Sequence, residues 1–426
     1  MTILIFIAAL LSAMAIGIPI AYALLLSGAA LMWHLDLFDA QILAQNVING
    51  ADSFPLLAVP FFMLAGEIMN TGGLSKRIVQ LAIALVGHRR GGLGFVAIIS
   101  ACLMAALSGS AVADTAALVA LLLPMMVKAG HSKARAGGLI ASAGVIAPVI
   151  PPSIGLVVFG VAANVSIGKL FLAGIVPGLL MGTGIALAWW LVAAKERVTL
   201  PEPATRQEKL SAFKQSIWAL GLPFIVLFGL RFGIFTPTEA AVVAAVYALF
   251  VAMAVYRELS LIQLYEVLVS SAKITAIIMF LVASSMVCAW LITVADIPEQ
   301  IIALLSHVMD SPTLLLLCIM LLIMLVGTAM DMIPTILILT PVLMPVVRAA
   351  GIDPVYFGVL FIMNTSIGLI TPPIGAVLNV VAGTARMRLD EVVVGVWPFM
   401  LAQFSIMFLL IAFPQLVLIP LHFLVN

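Results

Sequence analysis

The sequence predicts an all-α polytopic membrane protein, an inverted repeat that carries two re-entrant helical hairpins and two broken helices. Three observations predict it. Of 426 residues, 64% are hydrophobic and only 9% charged, with a mean hydropathy of +1.29. A soluble domain carries about 25% charged residues, and disordered chains are polar and charged. Two apolar runs, 92–127 and 313–347, are too long for one crossing of a ~30 Å hydrocarbon core and too short for two. Prolines and glycines recur at one fixed spacing between the halves. The formal net charge of +1 leaves no nucleic-acid footprint.

Residues 1–194 form the first repeat. Its scaffold spans lie in 1–72, with apolar runs at 3–33 and 54–72. The run from Thr2 to Trp33 has no basic residue before it and exceeds the roughly 7–15-residue core of a signal peptide, so it reads as one retained span. A surface segment follows at 73–91. The hairpin 92–127 is interrupted at Ser108-Gly109-Ser110, and the broken helix 137–163 at Pro151-Pro152; a further apolar run covers 170–193. The polar stretch 195–215 includes Lys195, Glu196, Pro201, Glu202, Pro203, Arg206, Glu208 and Lys209. It reads as a solvated cytoplasmic linker, with a regulatory site as the alternative.

Residues 216–426 supply a linking span and the second repeat. Apolar runs at 216–233, 236–256 and 274–294 precede a hairpin at 313–347, interrupted at Gly327-Thr328. A broken helix at 356–384 contains Pro372-Pro373, and the last run is 392–424. Thr236-Pro237-Thr238-Glu239 reads as a capping turn that opens a helix.

Charge sets the expected sidedness. With the N-terminus cytoplasmic and each hairpin entering and leaving on one side, every Lys and Arg falls on the inner side except Lys169, Arg231 and Arg348. The C-terminus is then periplasmic. The outer segments 34–53 and 295–312 carry Asp36, Asp39, Asp52, Asp296, Glu299 and Asp310 and no Lys or Arg.

Pro124 and Pro345 stand 221 positions apart (345 − 124). The same spacing relates Gly130 to Gly351, Gly137 to Gly358, Pro151-Pro152 to Pro372-Pro373, Gly174 to Gly395 and Pro177 to Pro398. The expected topology gives the halves opposite orientations. Inverted repeats with paired broken helices are the architecture of secondary transporters, with the site near the midplane.

The breaks carry the candidate chemistry. Proline leaves a carbonyl unpaired, and glycine allows backbone to approach a ligand. Freed carbonyls with Ser, Thr and Asn oxygens suit a dehydrated hard cation, and half-helix N-termini suit an anion. No Lys or Arg occurs in 92–127, 137–163, 313–347 or 356–384. A carboxylate held there must meet hydroxyls, N–H groups and bound cations, which favours sodium coupling; a proton relay would have only Asp114 and Asp331. Each intramembrane acid, Glu67, Asp114, Glu239 and Asp331, needs a partner or water. Asp331, just past a hairpin tip, reads as a substrate or water contact, or as structural. Asp114 reads equally as a site residue or a helix cap, and Glu239 as a cap. Cys102, Cys288 and Cys318 read as small packing residues, and the five histidines are scattered at span ends without metal spacing.

These motifs resemble the large membrane subunit of tripartite ATP-independent periplasmic (TRAP) transporters, along essentially the whole chain. The resemblance is carried by Pro60-Phe61-Phe62 with Gly66-Glu67, Ser108-Gly109-Ser110-Ala111 with Ala113-Asp114, and Ala147 to Ser153. In the second half it is carried by Phe235 to Ala241, Asp331, and Ile370-Thr371-Pro372-Pro373-Ile374-Gly375. It implies an elevator-type carrier of the ion-transporter superfamily kind, in which hairpins and broken helices slide against a scaffold. It also implies Na⁺ as the coupling ion, no organic cofactor, and placement in the lipid of a bacterial inner membrane. A separate small four-helix membrane subunit and a periplasmic substrate-binding protein are the implied partners. The carried solute is a C4-dicarboxylate, sialic acid, keto acid or sugar acid, and the run of the sequence leans to the sugar-acid or diketogulonate branch. Carried over by motif, the substrate contacts are Ser108, Ser153 and Asp331. The sodium ligands come from Ser108, Gly109, Ser110, Ser142 and Gly144 in one half. In the other they come from Gly327, Thr328, Asn364, Thr365, Gly368 and Thr371.

Two other readings stand beside this one. A stand-alone sodium/dicarboxylate symporter would need no binding protein. An intramembrane aspartyl hydrolase would use Asp114 and Asp331, but neither has a second titratable group nearby in sequence to form an acid/base pair.

Overall fold

The structure, a computed structural model, describes residues 2–194, 198, 202–304, 306–309 and 311–425. Lys195, Glu196, Arg197 and Pro201 near the expected linker, and Asp310, lie outside the described residues. Among the described residues there are helices and turns and no strand, and nine helices are long and apolar enough to cross a membrane.

The chain opens with α1 (Thr2–Ala15) and α2 (Ile20–His34), so the single span expected over 3–33 is two helices. The reason is a reversal at Gly17, which sits at φ +90°. The Ile18 N–H donates to the Ala13 carbonyl (3.1 Å) and the Gly17 N–H to Met14 (2.9 Å), closing the end of α1 before Pro19. α1 packs along α2, and Phe6, Leu10 and Ala13 are buried.

Next come α3 (Ala40–Ala51), a 3₁₀ turn at Phe54–Leu57, α4 (Ala58–Thr71) and α5 (Leu74–Val86). The first hairpin is α6 (Gly92–Ser108) and α7 (Ala111–Lys128), and the first broken helix is α8 (Lys133–Gly144) and α9 (Ile154–Ala163). α10 (Ile167–Ala193) completes the half. α11 (Arg206–Arg231) starts ten residues before the apolar run, so the second part of the polar stretch, 206–215, is helix. Thr205 and Glu208 cap each other's backbone N–H groups and allow this. α12 (Pro237–Phe250) opens on the expected Thr236–Glu239 capping box and runs into a π-helical turn at Val251–Val255.

α13 (Leu261–Val294) is followed by the short α14 (Ile297–Leu304) and α15 (Ser306–Met309). The second hairpin is α16 (Pro312–Ala329) and α17 (Met332–Ala349), and the second broken helix is α18 (Pro354–Gly368) and α19 (Ala376–Ala385). α20 (Leu389–Ala412) and α21 (Gln415–Val425) end the chain, parted at Phe413-Pro414. The break expected at Gly327-Thr328 lies three residues later, at Met330-Asp331. Thr328 bonds back to the Leu325 carbonyl (2.8 Å) and stays helical, while Met330 is extended and Asp331 caps α17.

The 221-residue spacing holds for whole elements. α7 and α17 start 221 residues apart, as do α8 and α18. The caps Ser110 and Asp331, the left-handed Gly130 and Gly351, and even the left-handed non-glycine residues Asp36 and Arg257 share it. Both diproline bonds are cis. Packing is reciprocal: α7 lies on α19 as α17 lies on α9, and α8 meets α20 as α10 meets α18. A pseudo-two-fold relation requires this exchange. The mates α10 and α20 touch each other and run antiparallel. Trp189 meets Phe399, while Gly184, nearer the start of α10, meets Ala402 and Ile406 farther along α20. The two-fold therefore lies across these helices, not along them.

Around this repeat core stand α1–α5 and α11–α14. α4 packs on α12, α13 on α2 and α3, and α5 on α11. Arg77 of α5 fixes one corner: its guanidinium lies 3.6 Å over the Tyr256 ring and 2.7 Å from Glu258.

Candidate functional site

A cavity of about 420 Å³ lies where both hairpin tips meet α4 and α13. Met63, Gly66, Glu67 and Asn70 of α4 and Ile274 and Ile278 of α13 form one wall. Ser108 to Ala113, Ile154 and Asp331 to Ile333 form the other. Gly66 lets the walls meet, since a methyl group there would lie 3.3 Å from the Ser108 Cα.

The repeat side of this cavity is made of helix N-termini. Ser110 caps α7, its hydroxyl accepting the Ala113 N–H (3.4 Å). Ser153 caps α9 through the Leu156 N–H (3.3 Å). Asp331 caps α17 through the Met332 N–H (2.8 Å). Gly109, at φ +61°, presses the first tip onto the first diproline, because a Cβ there would lie 2.6 Å from the Pro152 carbonyl oxygen. Each N-terminus carries roughly half a positive charge, and they stand where no Lys or Arg lines the wall. Two carboxylates, Glu67 and Asp331, line it instead. An anion entering here meets N–H groups and hydroxyls and is repelled by the acids until cations offset them.

The residues expected from sequence divide into four groups. Ser108, Gly109, Ser110 and Asp331 come together on the cavity. Ser153 sits behind it, fully buried, its hydroxyl donating to the Pro148 carbonyl (2.5 Å). Ser142 and Gly144 are buried at the end of α8, where Gly144 abuts Thr115 and the Ala111 carbonyl.

In the second half, Gly327, Thr365 and Gly368 converge: a methyl on Gly368 would lie 2.9 Å from the Gly327 carbonyl oxygen. Asn364 is fully buried, its amide donating to the Met320 carbonyl (2.6 Å) while Oδ1 has no partner. Thr365 bonds back to a carbonyl of its own helix, Thr371 reaches from beyond the end of α18 to the Ile367 carbonyl, and Thr328 bonds back on α16. Freed oxygens of this kind (the Asn364 Oδ1, the Gly327 carbonyl, the Ser142 hydroxyl) are what a dehydrated monovalent cation requires. The two clusters belong to opposite halves.

Sequence reasoning left four polar groups without a definite role. Glu67 and Asn70 line the cavity from α4, and their signal was only a Gly-Glu pair in an apolar run. Gln403 of α20 is buried and donates to the Ser142 carbonyl (3.2 Å), leaving its own Oε1 bare. Asp114 accepts the Ser108 hydroxyl at 2.5 Å.

Comparison with known proteins agrees with this architecture. The chain is 57% identical over 421 residues to the 2,3-diketo-L-gulonate TRAP transporter large permease protein YiaN of Escherichia coli (strain K12), covering 99% of each. It is 38% identical over 404 residues to the sialic acid TRAP transporter large permease protein SiaM of Vibrio cholerae, covering 95% of this chain and 94% of the relative. It is 38% identical over 376 residues to the C4-dicarboxylate TRAP transporter large permease protein DctM of Pseudomonas aeruginosa, covering 88% of each. Among solved structures, the Alcanivorax borkumensis YdaH transporter superposes with a TM-score of 0.64 at 17% identity, over 88% of this chain and 89% of that one, a likeness of fold. Residues 7–416 match the family described as "Tripartite ATP-independent periplasmic transporter, DctM component". The chain therefore belongs to the DctM family, the large permease components of TRAP transporters, and its role is transport and not enzymatic catalysis.

Proposed function

We propose that this permease carries out sodium-coupled uptake of an organic acid, and that the acid is a diketo sugar acid of the 2,3-diketo-L-gulonate kind. One observation carries the reading: three capped helix N-termini and two carboxylates share one base-free cavity between the hairpin tips and α4. Ser108 and Asp331 touch the substrate, and Ser153 holds the α9 N-terminus toward it. Sodium ions bind near Ser108, Gly109, Ser110, Ser142 and Gly144, and near Gly327, Thr328, Asn364, Thr365, Gly368 and Thr371. The substrate class rests on the relative of 57% identity that carries that solute's name.

In this reading the chain spans a bacterial inner membrane, and the two hairpins are re-entrant from opposite sides. The repeat core α6–α10 with α16–α20 moves as an elevator against the remaining helices. A separate four-helix membrane subunit enlarges that scaffold, and a periplasmic protein hands over the acid. In place of the cytoplasmic N-terminus expected from one span over 3–33, this reading puts the N-terminus on the periplasmic side with His34, because α1 folds back beside α2; no Lys or Arg precedes Lys76, and the charge rule does not bear on it. The C-terminus is also periplasmic.

Proteoliposomes holding this chain and its small subunit, supplied with the binding protein and labelled 2,3-diketo-L-gulonate, test the reading. Uptake is expected only with an inward sodium gradient. Equal uptake in choline overturns the coupling, and equal uptake without the binding protein and small subunit restores the stand-alone symporter.

A further inference from the structure

Glu67 differs from the other carboxylate of the cavity in what carries it. Asp331 sits on the repeat core, so in the elevator reading its charge accompanies the substrate in every arrangement. Glu67 belongs to α4, outside that core, and faces the substrate only while the hairpin tips rest on α4. It is half-buried on the cavity wall and, among the described residues, has no hydrogen-bond or ion-pair partner. Asn70, one turn on, accepts the Ser75 hydroxyl at Oδ1 (2.6 Å) and lines the same wall. α13 adds only Ile274 and Ile278; Lys273, beside them in sequence, is exposed and does not line the cavity. Nothing on the fixed side offsets the Glu67 charge.

Glu67 stands four residues before the end of α4 at Thr71, about 6 Å of helix rise. α5 follows at once with Lys76 and Arg77, and such basic residues mark the cytoplasmic side. The acid therefore lies toward the inner face.

The pseudo-two-fold identifies the corresponding wall on the other side. α3 and α13 begin 221 residues apart, and α4 lies on α12 as α13 lies on α2. The mate of α4 is therefore the later half of α13, residues 279–292, which carries no charged residue. The mate of Glu67 is Cys288, buried with its thiol on the Leu24 carbonyl (3.3 Å). This half of α13 runs toward the segment 295–312 that has no Lys or Arg, on the periplasmic side. The inner wall of the scaffold is acidic where its outer mate is neutral.

We propose that Glu67 is a release residue: a fixed carboxylate that lowers the affinity of the cavity for an organic anion on the cytoplasmic side alone. The inference rests on the elevator and organic-acid reading above and adds direction to it. An equilibrium between two arrangements shifts only through a difference in affinity between them. Like charges a few ångströms apart in a partly dry cavity supply that difference. The acid is taken up against the uncharged stretch of α13 and given up opposite Glu67.

The test uses proteoliposomes holding the full chain and its small subunit, with the binding protein outside, and reads net uptake of 2,3-diketo-L-gulonate as total vesicle content. One scan varies the external solute. The other varies solute loaded inside and finds the internal concentration that halves net uptake. E67Q is expected to lower that internal concentration by about tenfold, since a repelling charge is gone, while external half-saturation stays at the wild-type value. E67D keeps the charge and follows the wild type in both scans. N70D keeps the oxygen that Ser75 needs and adds a second acid to the same wall, so it raises the internal concentration; it carries the test if E67Q does not fold. Equal shifts on both sides in E67Q, or no shift, overturn the inference, as does N70D with unchanged or heightened sensitivity to internal solute. Those outcomes are read beside a wild type that takes up the acid, and they leave the transport reading standing. A wild type that takes up no organic acid under a sodium gradient removes that reading and the inference with it.

Discussion

Asp331 shows how one side chain can serve fold and site together. Its carboxylate caps α17 and its exposed face lines the cavity. Two substitutions separate the roles. Asn keeps a capping oxygen, so D331N is expected to unfold at the wild-type temperature yet transport poorly, with the loss in the half-saturating substrate concentration. D331A gives up the cap as well and is expected to lose a further 0.5–2 kcal/mol or so of stability. Equal thermal stability of the two variants would show that capping contributes nothing here. The sequence placed Asp331 next to the hairpin tip but put the break at Gly327-Thr328. Glycine in the sequence signals either a break or a close approach, and here it is the second: Gly327 lets α16 reach Gly368.

For the helices, the expected boundaries held where hydropathy changes sharply and slipped where a cap overrides it. α11 begins in charged sequence because Thr205 and Glu208 close a capping box. α1 and α2 part at Gly17 inside an unbroken apolar run. α5 is the surface segment, and its attachment is Arg77, stacked on Tyr256 and paired with Glu258. Glu258 is 40% exposed, so the ion pair is worth only about 0.2–1 kcal/mol after solvent screening. The stacking adds roughly 0.5–1 kcal/mol. A double-mutant cycle of R77A and E258A should therefore give a coupling no larger than the first range, while R77A alone costs more than E258A. Equal single-variant losses would mean that stacking on Tyr256 contributes nothing.

For the molecule, the fit of α4 against the first hairpin tip is the contact that an elevator movement must break. A Cβ at position 66 would lie 3.4 Å from that of Ser108, close to the ~3.5–4.5 Å that a disulfide spans. With Cys102, Cys288 and Cys318 replaced, a G66C/S108C pair is expected to cross-link rapidly under oxidant. Cross-linking should slow when sodium and substrate-loaded binding protein are present, because they populate conformers in which the tip has left α4. A rate unaffected by either addition would mean that the tip does not leave this contact, and a sliding core would be lost with it.

Composition sufficed for the class of protein, because a bilayer accepts only chains whose apolar runs satisfy their own backbone, and that requirement is local in sequence. The 221-residue spacing likewise revealed the repeat, since Pro and Gly act on the backbone where they stand. What the chain does with its polar groups was not local. Ser108, Asp331 and Glu67 come from three helices, and only their packing puts them on one cavity. Ser153 looked equivalent to Ser108, yet its hydroxyl is spent on Pro148. The bare oxygen of Asp114 exists only because α6, α8 and α19 close around α7 there without bringing a base. Desolvation and the choice of hydrogen-bond partner depend on neighbours distant in sequence, and the folded arrangement alone supplies them.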